Sequence, residues 1–126
     1  MRPPHALPVV LLLLALATPA IAKARFAGYY TVTAYCACRK CCGDQADGIT
    51  ATGKRVRPGM IAADWRRLPP GTRVRLSCLP GRTFVVEDKG GAIKGRRIDV
   101  YIPSHRDALK FGIRRKTKVW LLPRRR

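Results

Sequence analysis

Beyond about position 28 the hydrophobic residues of this chain mostly alternate with polar ones rather than recurring every third or fourth place, and alternation marks half-buried strands. Gly28 to Tyr35 sets Tyr30, Val32 and Ala34 against Tyr29, Thr31, Thr33 and Tyr35. Met60 to Asp64 is a short continuous apolar run that reads as a buried strand. A Leu68-Pro69-Pro70-Gly71 turn leads into Thr72 to Ser77, with Val74 and Leu76 inward and Arg73 and Arg75 outward. Arg82 to Asp88 and Arg97 to Ile102 flank a glycine-bearing loop, and Lys116 to Leu122 completes the series. One segment breaks the pattern. Ser104-His105-Arg106-Asp107 has the capping-box form and predicts a helix through Lys110 that stops at Gly112. This assigns Asp107 to the helix start and leaves His105 on an exposed surface. The expectation is an all-β chain of six strands with one short helix before the last strand.

The first 22 residues are of another kind. Arg2 and His5 precede an apolar run from Leu7 to Ala17, and Ala20-Ile21-Ala22 has the small-x-small form of a signal-peptidase site. A membrane span needs about 20 apolar residues, and this run is shorter and followed by Pro19. Residues 1–22 therefore read as a signal peptide, and 23–126 as a single domain with its core at about 28–122 and a basic tail at 123–126. Such a chain is expected to be secreted or periplasmic, in the cell envelope. Export changes what its charge means. With 26 Lys and Arg against 7 Asp and Glu the formal net charge is +19, one less without Arg2. Inside a cell that would suggest nucleic acid. Outside, the available polyanions are wall carboxylates and anionic lipid surfaces. No nucleic-acid partner and no stable membrane insertion are expected, and the protein is expected to be a monomer.

Cys36-Ala37-Cys38-Arg39-Lys40-Cys41-Cys42, together with Cys78, makes an odd number of thiols. An oxidising compartment favours disulfides, here two bridges with one thiol left over, and Cys78 is a candidate to tie a later strand to the cluster. Zinc is the competing reading, because the C-x-C-x-x-C-C run packs four thiolates into seven residues. Against it, no second C-x-x-C or histidine pair follows. Either way the cluster would staple a loop that a small core holds poorly.

The chemistry concentrates between Val85 and Tyr101. Parity puts Ile98, Val100 and Ile102 on one face of their strand and Arg97, Asp99 and Tyr101 on the other. The second face carries a carboxylate between a guanidinium and an aromatic ring. On the preceding strand the same rule groups Asp88 with Phe84 and Val86, so its carboxylate is expected to emerge where an apolar face ends, an environment that raises a pKa. As turn and strand-edge residues both aspartates would simply be solvated or paired with nearby Lys and Arg. Aspartate is disfavoured inside strands, however, and Gly90, Gly91 and Gly95 let backbone approach a ligand closely.

The run Glu87-Asp88-Lys89-Gly90-Gly91-Ala92-Ile93-Lys94-Gly95, then Arg97-Ile98-Asp99-Val100-Tyr101, preceded by Ile61-Ala62-Ala63-Asp64 and Leu68-Pro69-Pro70-Gly71-Thr72, resembles the three-aspartate (3D) domain. That domain occurs in membrane-bound lytic transglycosylase A and in stationary-phase muralytic proteins. The resemblance implies a double-psi β-barrel that cleaves peptidoglycan glycan strands, with Asp64, Asp88 and Asp99 as its aspartates and Asp99 as acid and then base. It needs no metal or cofactor. Ile49-Thr50-Ala51-Thr52-Gly53 is similar to the family segment beside the substrate groove, so Thr50, Thr52 and Gly53 become candidate sugar contacts, with Gly90 and Gly91. Tyr35, Trp65 and Tyr101 are candidate stacking residues, although Trp65 stands where the family usually has proline. Many 3D domains lack the cysteines, which mark a subgroup.

Overall fold

The computed structural model describes residues 1, 4 and 23–125, so the expected signal peptide lies outside the described residues apart from Met1 and Pro4. The six strands are β1 (Arg25–Tyr35), β2 (Met60–Ala63), β3 (Arg73–Leu76), β4 (Phe84–Asp88), β5 (Arg97–Tyr101) and β6 (Arg114–Leu121). They close into a barrel in the order β1-β5-β2-β4-β3-β6. Two neighbouring pairs, β1 with β5 and β2 with β4, are parallel. A parallel pair cannot be joined by a tight hairpin and needs a crossover. The two crossovers give this small barrel its double-psi form, and closure leaves no unpaired sheet edge.

Two strands are longer than alternation predicts. β1 starts at Arg25 and β6 at Arg114, because the two pair from Arg25↔Leu121 to Val32↔Arg114. Register shifts between Phe26 and Gly28 and between Tyr30 and Val32, and a left-handed Lys116 at φ 53, interrupt the period of two at these ends. A short helix α1 (Arg39–Cys42) and a 3-10 turn (Gly43–Gln45) also form in the cysteine segment, where no helix is expected from sequence.

The inward parity holds in the interior. Val32, Val74, Phe84, Val86, Ile98 and Val100 are fully buried in one cluster, and each such side chain contributes roughly 1.5–3 kcal/mol of hydrophobic stabilisation. Ile102 lies past the end of β5 and is only partly buried against that cluster. The helix α2 (His105–Phe111) starts where the Ser104 side chain accepts the Asp107 N–H at 3.3 Å, and ends at Gly112 with φ 66. It buries Ala108 and Phe111 and packs beside β1. Among the described residues no helix is long and apolar enough to cross a membrane.

Candidate active site

The outward face of β5-β2-β4 carries a groove of about 630 Å³. Strand register builds its floor. Ala62 of β2 pairs with Asp99 of β5 on one side and with Asp88 of β4 on the other. Thr33 of β1 in turn pairs with Asp99. Thr33, Asp99, Ala62 and Asp88 thus form one row across four strands, and the methyl group of Ala62 leaves open space between two carboxylates. With neighbouring strands about 4.8 Å apart, residues from different parts of the sequence face a common ligand-sized volume.

Asp88 reaches this row through a β-bulge. Ile61 pairs with Val86 but Ala62 pairs with Asp88, so one step in β2 opposes two in β4 at Glu87. Simple parity would have continued the core face of Phe84 and Val86 into Asp88. The bulge corrects that expectation and turns the carboxylate into a polar setting: it accepts the Tyr35 hydroxyl at 2.9 Å, the Ala51 N–H at 3.0 Å and the Lys89 N–H at 2.9 Å. Burial, followed by the Asp88 charge, pushes the Tyr35 phenol far above its usual value, so it stays a proton donor. Asp99 has fewer partners: among the described residues Thr33 Oγ1 alone donates to it, at 2.9 Å. Burial is the main cause that pushes its carboxyl up, and the Asp88 charge adds to this, against the pull of Thr33 and Arg97.

The third aspartate is placed differently. Asp64 is buried but does not line the groove. Its oxygens accept Nε and Nη2 of Arg66 at 3.1 and 3.0 Å, the Arg66 N–H at 3.1 Å and the Gly95 N–H at 2.9 Å. The Arg66 side chain, then Gly95, hold this carboxyl well below the usual range. Asp64 therefore ties the end of β2 to the loop before β5.

Several candidate sugar contacts support the groove from behind. Trp65 donates its indole N–H to the Asp88 carbonyl at 2.9 Å, and Lys89 lies 4.5 Å over its ring. Tyr101 packs edge-on against Tyr35, with centroids 5.7 Å apart. Of the remaining candidates, Tyr35, Thr50, Gly90 and Gly91 line the groove, whereas Thr52 and Gly53 do not. A Cβ on Gly90 would stand 3.1 Å from Ile93, a close approach that suits glycine. Thr52 is committed to Glu87, donating to its carboxylate at 2.6 Å, while Lys54 pairs with the same group at 2.8 Å. Burial alone would raise Glu87, but the hydrogen bonds from Lys54 and Thr52 outweigh it and lower its pKa. Glu87 thereby fixes the loop that presents the Ala51 N–H to Asp88. Its role and that of Thr33 are not singled out by sequence; the signal for Thr33 is that it shares the outward parity of Tyr35.

The cysteine segment walls one side of the groove through Ala37, Cys41 and Cys42. None of the expected disulfides is present in this structure, where all five cysteines are free. Cys78 packs against the core, apart from the others. Nor is His105 a free surface residue: its Nδ1 lies 3.5, 3.4 and 3.4 Å from the sulfurs of Cys36, Cys38 and Cys41. A helix-capping pattern fixes where α2 begins but not what packs against its first turn.

The 3D domain family matches residues 59–123, from the start of β2 through the end of the barrel. The chain belongs to the 3D domain family. This 3D domain is 39% identical over 71 residues to the cell wall-binding protein YocH of Bacillus subtilis, a match covering 53% of the chain and 24% of that protein. Among solved structures it resembles crystallised MltA from E. coli, at 25% identity and TM-score 0.50, over 61% of this chain and 28% of that one. A variant of the same E. coli lytic transglycosylase gives TM-score 0.53 at 24% identity, over 62% and 28% of the two chains, a likeness of fold. The 3D domain described here spans less than a third of the length of each of these relatives.

Proposed function

We propose that this 3D-domain protein is exported to the cell envelope and cleaves the MurNAc-GlcNAc bond of peptidoglycan as a lytic transglycosylase. The observation that carries the reading is the placement of Asp99 and Asp88 on either side of Ala62 in one groove. Glycosidic cleavage needs an acid on the leaving oxygen and support for an oxocarbenium-like charge. Asp99, with its pKa raised mainly by burial, suits the acid role. It protonates the glycosidic oxygen, then as base takes the proton of the muramyl 6-hydroxyl as that oxygen closes on its own anomeric carbon to a 1,6-anhydro end. Asp88, held by three donors, faces the developing positive charge. Asp64 shapes the site from outside the groove. A second, basic pocket formed by Lys94, Arg96, Arg97 and Arg115 adjoins the row at Thr33 and suits the carboxylates of muramyl groups and stem peptides.

Wall binding without cleavage is the second reading, favoured by the relative described as cell wall-binding. Mass spectrometry of products released from peptidoglycan by wild type and Asp99→Asn separates the two. Anhydro-muropeptides from wild type, reduced roughly 10²- to 10⁴-fold in the variant, are the expected result. Reducing-end sugars would mean a hydrolase, and sedimentation with the wall without any product would leave a binding module.

A further inference from the structure

The sulfurs of Cys36, Cys38 and Cys41 and a ring nitrogen of His105 all lie within 4.8 Å of one another. They come from the residue just past β1, from α1 with the residue before it, and from the first turn of α2, so only the closed barrel assembles them. Zinc–sulfur bonds of about 2.3 Å and zinc–nitrogen bonds of about 2.0 Å at tetrahedral angles set nitrogen and sulfur roughly 3.5 Å apart. The three observed nitrogen–sulfur separations are 3.4 to 3.5 Å. One sulfur pair, Cys36 and Cys41, is closer than such a tetrahedron, at 3.0 Å, yet longer than a covalent bridge. A bridge between two of these sulfurs would leave the histidine and the third thiol facing each other for no purpose.

We infer that Cys36, Cys38, Cys41 and His105 bind one zinc ion in a closed, structural Cys₃His site. Three thiolates and an imidazole suit a borderline-soft divalent cation, and four protein ligands leave no open position for chemistry. Net charge at such a centre is −1, and Arg39, Lys40 and Arg106 are its basic sequence neighbours, Arg39 and Arg106 being paired with Asp44 and Asp107. Cys42 is not a ligand: its thiol donates to the Cys36 carbonyl at 3.2 Å and holds the turn. The ion staples α2 to the segment that walls the groove and follows directly on Tyr35, the donor to Asp88. Zinc thus acts on the groove by holding its wall, independently of whether the groove cuts glycan.

Metal analysis of the full chain, purified reduced from zinc-supplemented cells and freed of loose metal, tests this. About one equivalent of zinc is expected, retained in Cys78→Ser and reduced at least about tenfold in His105→Ala and Cys38→Ser. Cobalt loaded into the wild type is expected to give the visible bands of a tetrahedral thiolate site, absent in His105→Ala, and chelation to lower Tm until zinc is restored. Because buried Cys36 is avoided and His105 is only half-buried, a circular dichroism spectrum of His105→Ala checks that the barrel persists. Less than about a tenth of an equivalent in wild type, zinc retained in His105→Ala, or a Cys36–Cys41 disulfide in metal-free native protein would overturn the site.

Discussion

Asp64 and Asp99 differ in charge environment although Asp64 lies only two residues beyond Ala62, the partner of Asp99. With Asp64 held below the unfolded value by Arg66 and Gly95, the unfolded chain binds its proton more readily. Its stabilisation is therefore present above the unfolded pKa of about 3.9 and lost as pH falls below it. Asp99 has the opposite sign, since burial raises its folded value: the folded state favours the proton, and that advantage is lost as pH rises through the folded pKa. At neutral pH Asp99→Asn is expected to raise Tm by roughly a few degrees, and Asp64→Asn to lower it. Both differences should shrink in acid, as seen in thermal melts from about pH 3 to about pH 8. A neutral-pH loss of stability in Asp99→Asn would remove the buried-charge account of that residue. Stability given up at a groove carboxylate fits a group shaped for function rather than for folding.

At the scale of elements, the loop from Ile49 to Arg55 matters most. It closes on itself through an Ile49–Arg55 bridge and the Gly53 N–H to Thr50 carbonyl bond of 2.9 Å, and is pinned to β4 by Glu87. Glu87→Gln keeps the shape but removes the charge that Lys54 pairs with. Glycan release is expected to fall roughly 10- to 100-fold through misplacement of the Ala51 donor, with the far-ultraviolet circular dichroism unchanged; undiminished release would show that the loop positions itself. Alternation made the interior strands readable, because Val74, Leu76, Ile98 and Val100 obey a period of two. Irregular steps hid the rest. The shifts in β1 and Lys116 concealed strand ends, and the bulge at Glu87 put Asp88 on the groove side where parity alone could not. The thiols and His105 lie more than 60 residues apart in sequence, and no local pattern encodes their meeting.

For the whole molecule, the surface and the groove have different characters. A net charge of +19 surrounds a site whose floor bears Asp88 and Asp99, which suits attraction to an anionic mesh while the proposed acid chemistry would stay local. Composition revealed the first and the motif the second, but their separation needed the barrel. That barrel also sets an order of events. Among the described residues β1 pairs with β5 and β6, so β1 has no barrel partner until the chain has been synthesised through β5. Contacts of such sequence separation are slow to form. Chains ending before Arg114 are expected to be degraded rapidly by protease, whereas the full chain resists. The barrel topology thereby works as a timer: the polypeptide stays loose while it is being made and locks only after β6 arrives.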